Sequence, residues 1–285
     1  MRPFRFGLQV STSMDVGRFR DVARRAEALG FSTLTVPDHF DDSMAWVPAV
    51  MAAADATSTL RVGPLVACND YRLPIVLAKE AATIDLLSGG RLDLGVGAGW
   101  MVSDYRAAGI PLDPPGPRIE RLARTLDVLD AAWGGTRPTL VIGGGGRRML
   151  TLAAKRADVV GLNISLTSGA IDSTSGRDAT VEATDRKVAW VRAAAGDRFD
   201  HLELQVRVHL AVVTDDRDSV AAGIAPAFGL TPEEALASPH ALAGTVDQIC
   251  DDLLARRERW GISYIGVSLD AMDSLAPVVE RLAGP

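Results

Sequence analysis

The 285-residue sequence predicts an α/β (TIM) barrel in which eight parallel strands alternate with helices, and three observations support this fold. Eight short apolar segments, mostly rich in Val, Ile and Leu, show little alternation, as expected for strands buried on both faces of a parallel sheet. Helical patterns separate these segments along the chain. Glycine is frequent, at 27 residues, while aromatic residues make up only 5%, which favours an α/β protein over a β-sandwich. The predicted strands are Phe4–Val10, Thr33–Val36, Arg61–Ala67, Leu92–Val96, Thr139–Ile142, Val159–Leu162, Leu204–Val213 and Tyr264–Leu269.

Glycines and a capping box mark the ends of several predicted helices. Apolar residues at three-four spacing predict a helix over residues 16–29, and Gly30 follows it where a helix end favours positive φ. Gly134 and Gly261 close two later helices in the same way. Thr245–Gln248 has the spacing of a capping box before an apolar run.

An open doubly wound sheet shares the same alternation and is the alternative fold. Gly95–Gly99 resembles a dinucleotide-binding turn only loosely and follows the fourth strand rather than the first, so the barrel is favoured. The polar segment Ile164–Thr180 follows strand six and predicts an insertion or lid. Pro226–Pro239 predicts short helices. No linker divides the chain, so we expect one domain over residues 1–285.

Composition narrows the function classes. The net charge is −6, from 30 basic and 36 acidic residues, so nucleic-acid binding is disfavoured. Cys68 and Cys250 alone cannot build a disulfide framework or a zinc site, and no metal cluster stands out. The sequence shows no signal peptide and no long apolar run, so we expect a cytoplasmic protein without membrane partners.

In a barrel, functional side chains lie at the C-terminal ends of the strands. Strand two runs into Asp38 and His39. We predict that His39 performs acid–base chemistry and that the adjacent Asp38 carboxylate orients the imidazole; capping of the next loop is the alternative role for His39. Other side chains at strand ends or beside these loops are predicted to line the substrate pocket: Gln9, Trp46, Asn69, Trp100 and Asn163.

Gly143–Gly146, at the end of strand five, is the predicted anion site. Glycines let the backbone approach a ligand, and the following helix presents free N–H groups. Arg147 and Arg148 would be unfavourable at this end of a helix unless an anion is present or they point into solvent. A tight turn with solvated arginines is the alternative.

The remaining histidines and Cys68 carry weaker predictions. His209 lies on a polar face of strand seven and is expected in a hydrogen-bonded polar patch. His201 and His240 lie in polar or proline-flanked loops and are expected at the surface. Cys68 is expected to be a small buried thiol.

Several stretches of the chain resemble the luciferase-like monooxygenase family, in the same order and over nearly the whole length. They are FGLQV, VPDHF, RVGPLVACNDYRLPIVLAKEAATIDLLSGGRLDLGVGAGW, VIGGGGRRMLTLAAKRADVVGLN and GTVDQICDDLLARRERWGISYIGVSLD. The SGGRLDLGVGAGW stretch is rather specific to the family. The match looks closer to the branch that uses the deazaflavin coenzyme F420 than to the FMN-dependent luciferases.

This resemblance implies a TIM barrel with an insertion near the later strands, assembled as a homodimer, with the coenzyme ring across the C-terminal mouth. Asp38 and His39 match a ring-contacting acid and an active-site histidine, and Leu65–Val66 matches a non-proline cis peptide behind the ring. The remaining implied coenzyme contacts, together with the predicted phosphate turn, are Ala98, Gly99, Ser103, Gly144, Gly145, Gly146 and Arg147.

Two departures from the family argue against transferring a sugar-phosphate dehydrogenase activity. Trp100 stands where some F420 enzymes carry a carboxylate. A lysine that follows strand six in some members is missing, and residues 164–166 offer no cation, so Arg147 or Arg148 would have to replace it.

Three functions follow as hypotheses. The first is an F420-dependent oxidoreductase that transfers a hydride to or from a small organic substrate. The second keeps the fold but uses reduced FMN and oxygen as a monooxygenase. The third is a non-catalytic flavin-binding barrel, against which His39 and the glycine turn count.

Overall fold

Nine parallel strands form one sheet that curves into a nearly closed barrel, which confirms the predicted fold. The computed structural model describes residues 2–166, 169 and 175–284; residues 167, 168 and 170–174 of the predicted insertion lie outside the described part. The strands are β1 Arg5–Gln9, β2 Thr33–Val36, β3 Arg61–Pro64, β4 Ala67–Cys68, β5 Asp93–Gly97, β6 Thr139–Gly144, β7 Val159–Leu162, β8 Glu203–Arg207, β9 Leu210–Val213, β10 Ala241–Gly244 and β11 Ile262–Ser268.

Helices follow most strands and cover the outside of the barrel. They are α1 Val16–Ala28, α2 Trp46–Ala56, α3 Pro74–Ser88, α4 Val102–Ala108, α5 Pro115–Trp133, α6 Arg147–Arg156, α7 Val181–Ala195, α8 Arg217–Ile224, α9 Pro232–Ala237, α10 Val246–Trp260 and α11 Ala276–Leu282. The capping box at Thr245 and the left-handed glycines at 30, 134 and 261 occur as predicted. A 3₁₀ turn over residues 225–228 and α9 confirm the short helices predicted for Pro226–Pro239.

The predicted third strand is divided into two. The sheet order is β3-β2-β1-β11-β8-β7-β6-β5-β4, so the two parts of this strand lie at opposite ends of the order. Between them lies a cis peptide bond joining Leu65 and Val66, which is where the family resemblance implied one. A bridge between Val62 and Leu92 brings β3 beside the start of β5 and closes the barrel.

The predicted seventh strand, Leu204–Val213, is wrong as a single element. β8 stays in the barrel, where the Val208 N–H still donates to the Gly266 carbonyl, 2.8 Å away. The next N–H, of His209, donates instead to the His240 carbonyl, and the chain leaves the barrel. β9 then pairs in parallel with β10, a strand that the sequence analysis missed, in a separate two-stranded sheet.

Glycines make the closure of the barrel possible. Gly63 of β3 lies so close to β5 that a Cβ atom there would overlap the Asp93 carbonyl group. A Cβ atom at Gly95 would overlap the Pro64 carbonyl oxygen, and one at Gly97 would lie 2.5 Å from the Val66 side chain. Side chains at these positions would push β3 and β5 apart.

An ion cluster fills the N-terminal end of the barrel below the apolar core. Arg5 Nη1 donates to Asp93 Oδ2 at 3.0 Å, and Arg61 Nε donates to Asp93 Oδ1 at 2.7 Å. Arg5 also pairs with Glu203 at 2.8 Å and lies over the Tyr264 ring. These charges are paired with one another, so the N-terminal end serves stability and the C-terminal end is left for a functional site.

Gly63→Ala should lower the free energy of unfolding by about 3 kcal/mol or more, or prevent folding, because the methyl group would overlap the Asp93 carbonyl. Urea denaturation followed by circular dichroism measures the loss. Gly223→Ala is the matched control: Gly223 lies within α8 with no atom near the added methyl, so it should stabilise by about 0.5 kcal/mol. Similar stabilities for the two variants would contradict the role assigned to Gly63.

Candidate active site at the C-terminal end of the barrel

His39 is held by a carboxylate, but not by the one that its sequence neighbour supplies. The imidazole Nδ1 lies 2.6 Å from Asp104 Oδ2, and the other Asp104 oxygen accepts the Phe40 N–H at 3.2 Å. Asp104 lies on α4 and its side chain is only 3% exposed. Since a carboxylate oxygen accepts, the facing ring nitrogen, Nδ1, carries a proton, and Nε2 is the ring nitrogen left for proton transfer.

The expectation that Asp38 orients the His39 imidazole is wrong. Asp38 Oδ2 accepts from Arg72 Nη1 at 2.8 Å and from the Cys68 N–H at 2.9 Å. These bonds tie the end of β2 to the turn that follows β4, so the Asp38 carboxylate is committed to the scaffold. Sequence adjacency suggested the wrong partner because the side chains of consecutive residues at a strand end point apart.

Two tryptophans were predicted beside the pocket, and they differ in exposure. Trp100 is half-buried and meets the His39 ring edge-on, with ring centroids 5.8 Å apart. Trp46, at the start of α2, is 1% exposed and lies beneath the Arg72 guanidinium. The prediction that Trp46 lines the pocket is therefore corrected, because this side chain offers almost no surface to a ligand.

Arg118 fixes the loop that carries Ala98 and Gly99. Its guanidinium donates to the carbonyls of Ala98, Gly99 and Asp113 and is buried. This role was missed, because Arg118 lies on α5, well after the loop it holds. Ser103, predicted to contact the coenzyme, is exposed on the first turn of α4.

The cis peptide Leu65–Val66 is connected to Gln9, the last residue of β1. Gln9 Nε2 donates to the Leu65 carbonyl at 3.0 Å, and Gln9 Oε1 accepts from Arg207 Nε at 2.8 Å. Arg207 also donates to Ser268 Oγ at 2.6 Å. Gln9, predicted to line the substrate pocket, therefore lies in a network that joins the ends of β1, β8 and β11 to the cis peptide.

The glycine turn that precedes α6 has the features of an anion site. No side chain caps α6, and among the described residues the N–H groups of its first three residues donate no hydrogen bond. A Cβ atom at Gly146 would meet nothing within 4 Å, whereas Gly144 and Gly145 pack closely against Met149 and the backbone at Ile164. Arg147 is exposed, and Arg148 forms only an exposed ion pair with Glu120. The open side of the turn can therefore accept an anionic group.

A buried lysine stands near the end of β7, where the sequence analysis found no cation. Lys187 comes from α7, and its Nζ donates to the carbonyls of Asn163 and Asp178 and to the Asp178 carboxylate, at 2.7 to 2.8 Å. The Asn163 side chain, predicted in the pocket, lies against Gly143. All three donor positions of Lys187 are thus used to hold both ends of the predicted insertion.

Asn69 belongs to a separate charged cleft of about 430 Å³ next to α5. Asp70, also in this cleft, accepts from Arg121 at 2.6 Å and from the Tyr105 hydroxyl at 2.8 Å. Cys68 nearby is buried, as predicted, and burial raises the pKa of its thiol to about 11. It is therefore protonated and unreactive at neutral pH.

His240 is buried, so its predicted surface position is wrong. It is 6% exposed, and its Nδ1 donates to the Arg207 carbonyl at 2.8 Å. His209 lies beside it, with ring centroids 5.8 Å apart. Burial lowers the pKa of His240 to about 3, so this imidazole is neutral at pH 7, whereas the His209 side chain is exposed. His201 is exposed, as predicted.

Two absences in the described part of the chain bear on other functions. It contains no group of three or more His, Cys, Asp or Glu side chains that could hold a metal ion. None of its helices is both long enough and apolar enough to cross a membrane.

Comparisons with known proteins show the family to which the chain is similar. The model of the luciferase-like monooxygenase family matches residues 1–264. An F420-dependent glucose-6-phosphate dehydrogenase from Amycolatopsis mediterranei is 32% identical over 124 residues, which are 40% of this chain and 36% of that protein. The 4-hydroxyprotoasukamycin monooxygenase from Streptomyces nodosus is 32% identical over 129 residues, or 44% of this chain and 34% of that protein.

The fold has close counterparts among solved structures. The F420-dependent tetrahydromethanopterin reductase from Methanopyrus kandleri superposes with a TM-score of 0.76 over 99% of this chain and 100% of that one, at 16% identity. This likeness shows the fold. The matches to the two curated relatives span little more than a third of their lengths.

The buried His240 predicts a pH dependence of stability. In the unfolded chain its side chain takes up a proton below about pH 6.5, whereas in the folded chain it stays neutral to about pH 3. Its contribution is therefore complete above pH 6.5 and is lost as the pH falls, by up to roughly 1.4 kcal/mol per pH unit. Denaturant titrations between these pH values measure the slope.

His240→Gln should make this slope shallower, since it removes the buried imidazole. His201→Gln is the control, because His201 is exposed and should leave the slope unchanged. Equal slopes in the wild type and both variants would contradict the assignment.

Proposed function

The chain belongs to the luciferase-like monooxygenase family, and on that premise we propose that it is an oxidoreductase that uses coenzyme F420 to transfer a hydride to or from a small organic substrate. Family relatives include oxidoreductases and monooxygenases. The observation that carries the proposal is the uncapped glycine turn before α6, at the same end of the barrel as His39.

The residues at this end fit a flat coenzyme that carries a phosphate. The free N–H groups at the start of α6 and the open side of Gly146 suit a phosphate oxygen, and Arg147 lies next to them without an ion-pair partner in the described chain. An anion there also relieves the unfavourable position of two arginines at the positive end of a helix. Leu65–Val66 and the loop at Ala98 and Gly99 would contact the ring and side chain of the coenzyme.

His39 is the residue assigned to proton transfer. Asp104 keeps the Nδ1 proton in place, so Nε2 can accept a proton from the substrate or, when the imidazole is charged, return it. Trp100 lies edge-on to the imidazole, and its bulk would exclude water from this side of the reacting carbon. When bound, F420 supplies the ring carbon that gives or takes the hydride.

A monooxygenase that uses reduced FMN and oxygen is the second candidate. The relative named 4-hydroxyprotoasukamycin monooxygenase supports it, and the phosphate of FMN would suit the same turn. The F420-dependent relative and the F420-dependent reductase of the same fold favour the deazaflavin.

The homodimer implied by the family resemblance stays a proposal. Large apolar side chains at both ends of α3 are exposed, and a second copy of the chain would cover them; they are Leu73, Ile75, Val76, Leu86 and Leu87.

Absorbance titration of the purified apoprotein with F420 and, separately, with FMN tests the coenzyme. We expect F420 to bind at tens of micromolar or tighter and FMN to bind more weakly. Failure of F420 to bind in this range overturns the proposal. Tight FMN binding with a flavin spectrum supports the monooxygenase, and tight binding of either coenzyme without turnover supports a binding protein.

His39→Ala should slow hydride transfer by about 10² or more while F420 affinity changes little, because the imidazole moves a proton and does not hold the phosphate. Asp104→Asn should slow the same step by about tenfold, since the amide can no longer fix the Nδ1–H tautomer, and the ¹⁵N NMR shift of His39 should report mixed tautomers. Single-turnover absorbance measures the step, with His201→Ala as the control. A wild-type rate in His39→Ala would remove the acid–base role.

A further inference from the structure

A cavity of about 150 Å³ lies next to the barrel, between the start of the insertion, the two-stranded sheet and helices α8 and α9. Its walls are almost entirely apolar. The lining residues that the argument uses are Ile164, Phe228, Ala235, His209 and His240. A cavity of this volume can hold a group of about the size of benzene.

The polar side chains that line the cavity are the two imidazoles and the hydroxyl groups of Ser175 and Ser238. His240 Nδ1 donates to the Arg207 carbonyl, so Nε2 of the neutral ring is an acceptor. Among residues 2–166, 169 and 175–284 no group hydrogen-bonds this Nε2, although His240 is 6% exposed. His209 stands 5.8 Å away, between ring centroids, and can donate or accept. A hydroxyl group entering the cavity would give this acceptor the hydrogen-bond partner that it lacks among the described residues.

Charged ligands would meet no counter-charge from the described residues of this cavity, since none of those that line it is an Asp, Glu, Lys or Arg. The cations near the imidazoles already have hydrogen-bond partners. Lys187 donates to Asn163 and Asp178, and Arg256 donates to the Ala241 and Leu236 carbonyls. Transfer of a carboxylate or phosphate from water into this environment is strongly unfavourable.

The cavity is connected to the candidate active site in two ways. Ile164 lines it, and the Ile164 backbone packs against Gly145 of the glycine turn. His240 contacts Arg207, which donates to Gln9, which in turn donates to the Leu65 carbonyl of the cis peptide. The cavity therefore lies at the same end of the barrel as His39 and the anion site.

We propose that this cavity takes the apolar part of the substrate, an uncharged compound in which a hydrocarbon group of about benzene size carries a hydroxyl or carbonyl group that His209 and His240 bind. The assignment of the occupant as substrate rests on the proposed function. It also separates this chain from the activity of its sugar-phosphate-oxidising relative, since a phosphorylated sugar fits neither the lining nor the charge of the cavity.

Benzyl alcohol and benzoate are matched probes, because they share the ring and differ in charge. The chain contains only four histidines, so the imidazole NMR signals can be assigned from single His variants. We expect benzyl alcohol to shift the His209 and His240 signals of the full chain and to leave His201 unmoved, while benzoate at the same concentration shifts neither. Shifts with both probes, or with neither, would overturn the proposal.

Ala235→Leu fills the cavity from α9 and should weaken benzyl alcohol binding by about tenfold or more. Ala237→Leu adds the same side chain at an exposed position of the same helix and should leave binding unchanged. Equal affinities of the two variants would contradict the location of the site.

An F420 titration on the same sample separates the two proposals. If F420 binds and benzyl alcohol does not, the substrate class fails while the proposed function stands. If benzyl alcohol binds in the cavity and F420 does not, the proposed function fails and the cavity keeps its preference for uncharged ligands.

Discussion

The barrel depends on the close approach of β3 and β5, which the absence of a side chain at Gly63 permits. This contact brings the two ends of the sheet order together, so the ends of β2, β4 and β5 lie around one opening. Asp38 stabilises this region at the C-terminal end of the strands, because it joins the end of β2 to the Cys68 N–H and to Arg72. His39 follows Asp38 directly, so the hydrogen bonds of Asp38 help to position the imidazole, together with the bond to Asp104.

The buried cationic side chains of the described residues donate more hydrogen bonds to backbone carbonyls than to carboxylates. Arg118 holds the loop after β5, Lys187 holds the ends of the insertion, and Arg256 holds the segment before β10. Irregular loops leave carbonyl groups without secondary-structure partners, and long cationic side chains supply several donors at once. The donors of these three cations are therefore used to hold irregular segments. The start of α6, by contrast, keeps backbone N–H groups that can donate to an anion.

The regular part of the fold could be predicted from the sequence because each strand has a continuous apolar signal and several helices end at a glycine. The single strand seven was wrong because apolar residues continue at every second position of Leu204–Val213, across the point where hydrogen bonding passes from β11 to the segment at His240. The amino-acid pattern of a strand does not show which neighbouring strand it pairs with. The sequence analysis missed β10 because this strand, Ala241–Gly244, has only four residues and is weakly apolar.

The site was predictable only in part. His39 and the glycine turn stood out because rare residue types occur at strand ends. Asp104, Arg118 and Lys187 act on residues far from them in the chain, and each has the sequence pattern of an ordinary helix residue. His240 was expected at the surface because proline precedes it, but its ring turns inward to the Arg207 carbonyl. Contacts of this kind depend on how helices pack, which one sequence does not reveal.

The bonds from Lys187 also bear on how this barrel can change over evolutionary time. Because one ammonium group fixes both Asn163 and Asp178, the ends of the intervening loop are held together whatever residues lie between them. Closing such a loop costs entropy that grows slowly with length, by about 0.6 kcal/mol for each doubling. Insertions between these two anchors should therefore cost little of the free energy of unfolding, so the segment can change in length while the strand ends that carry His39 stay in place.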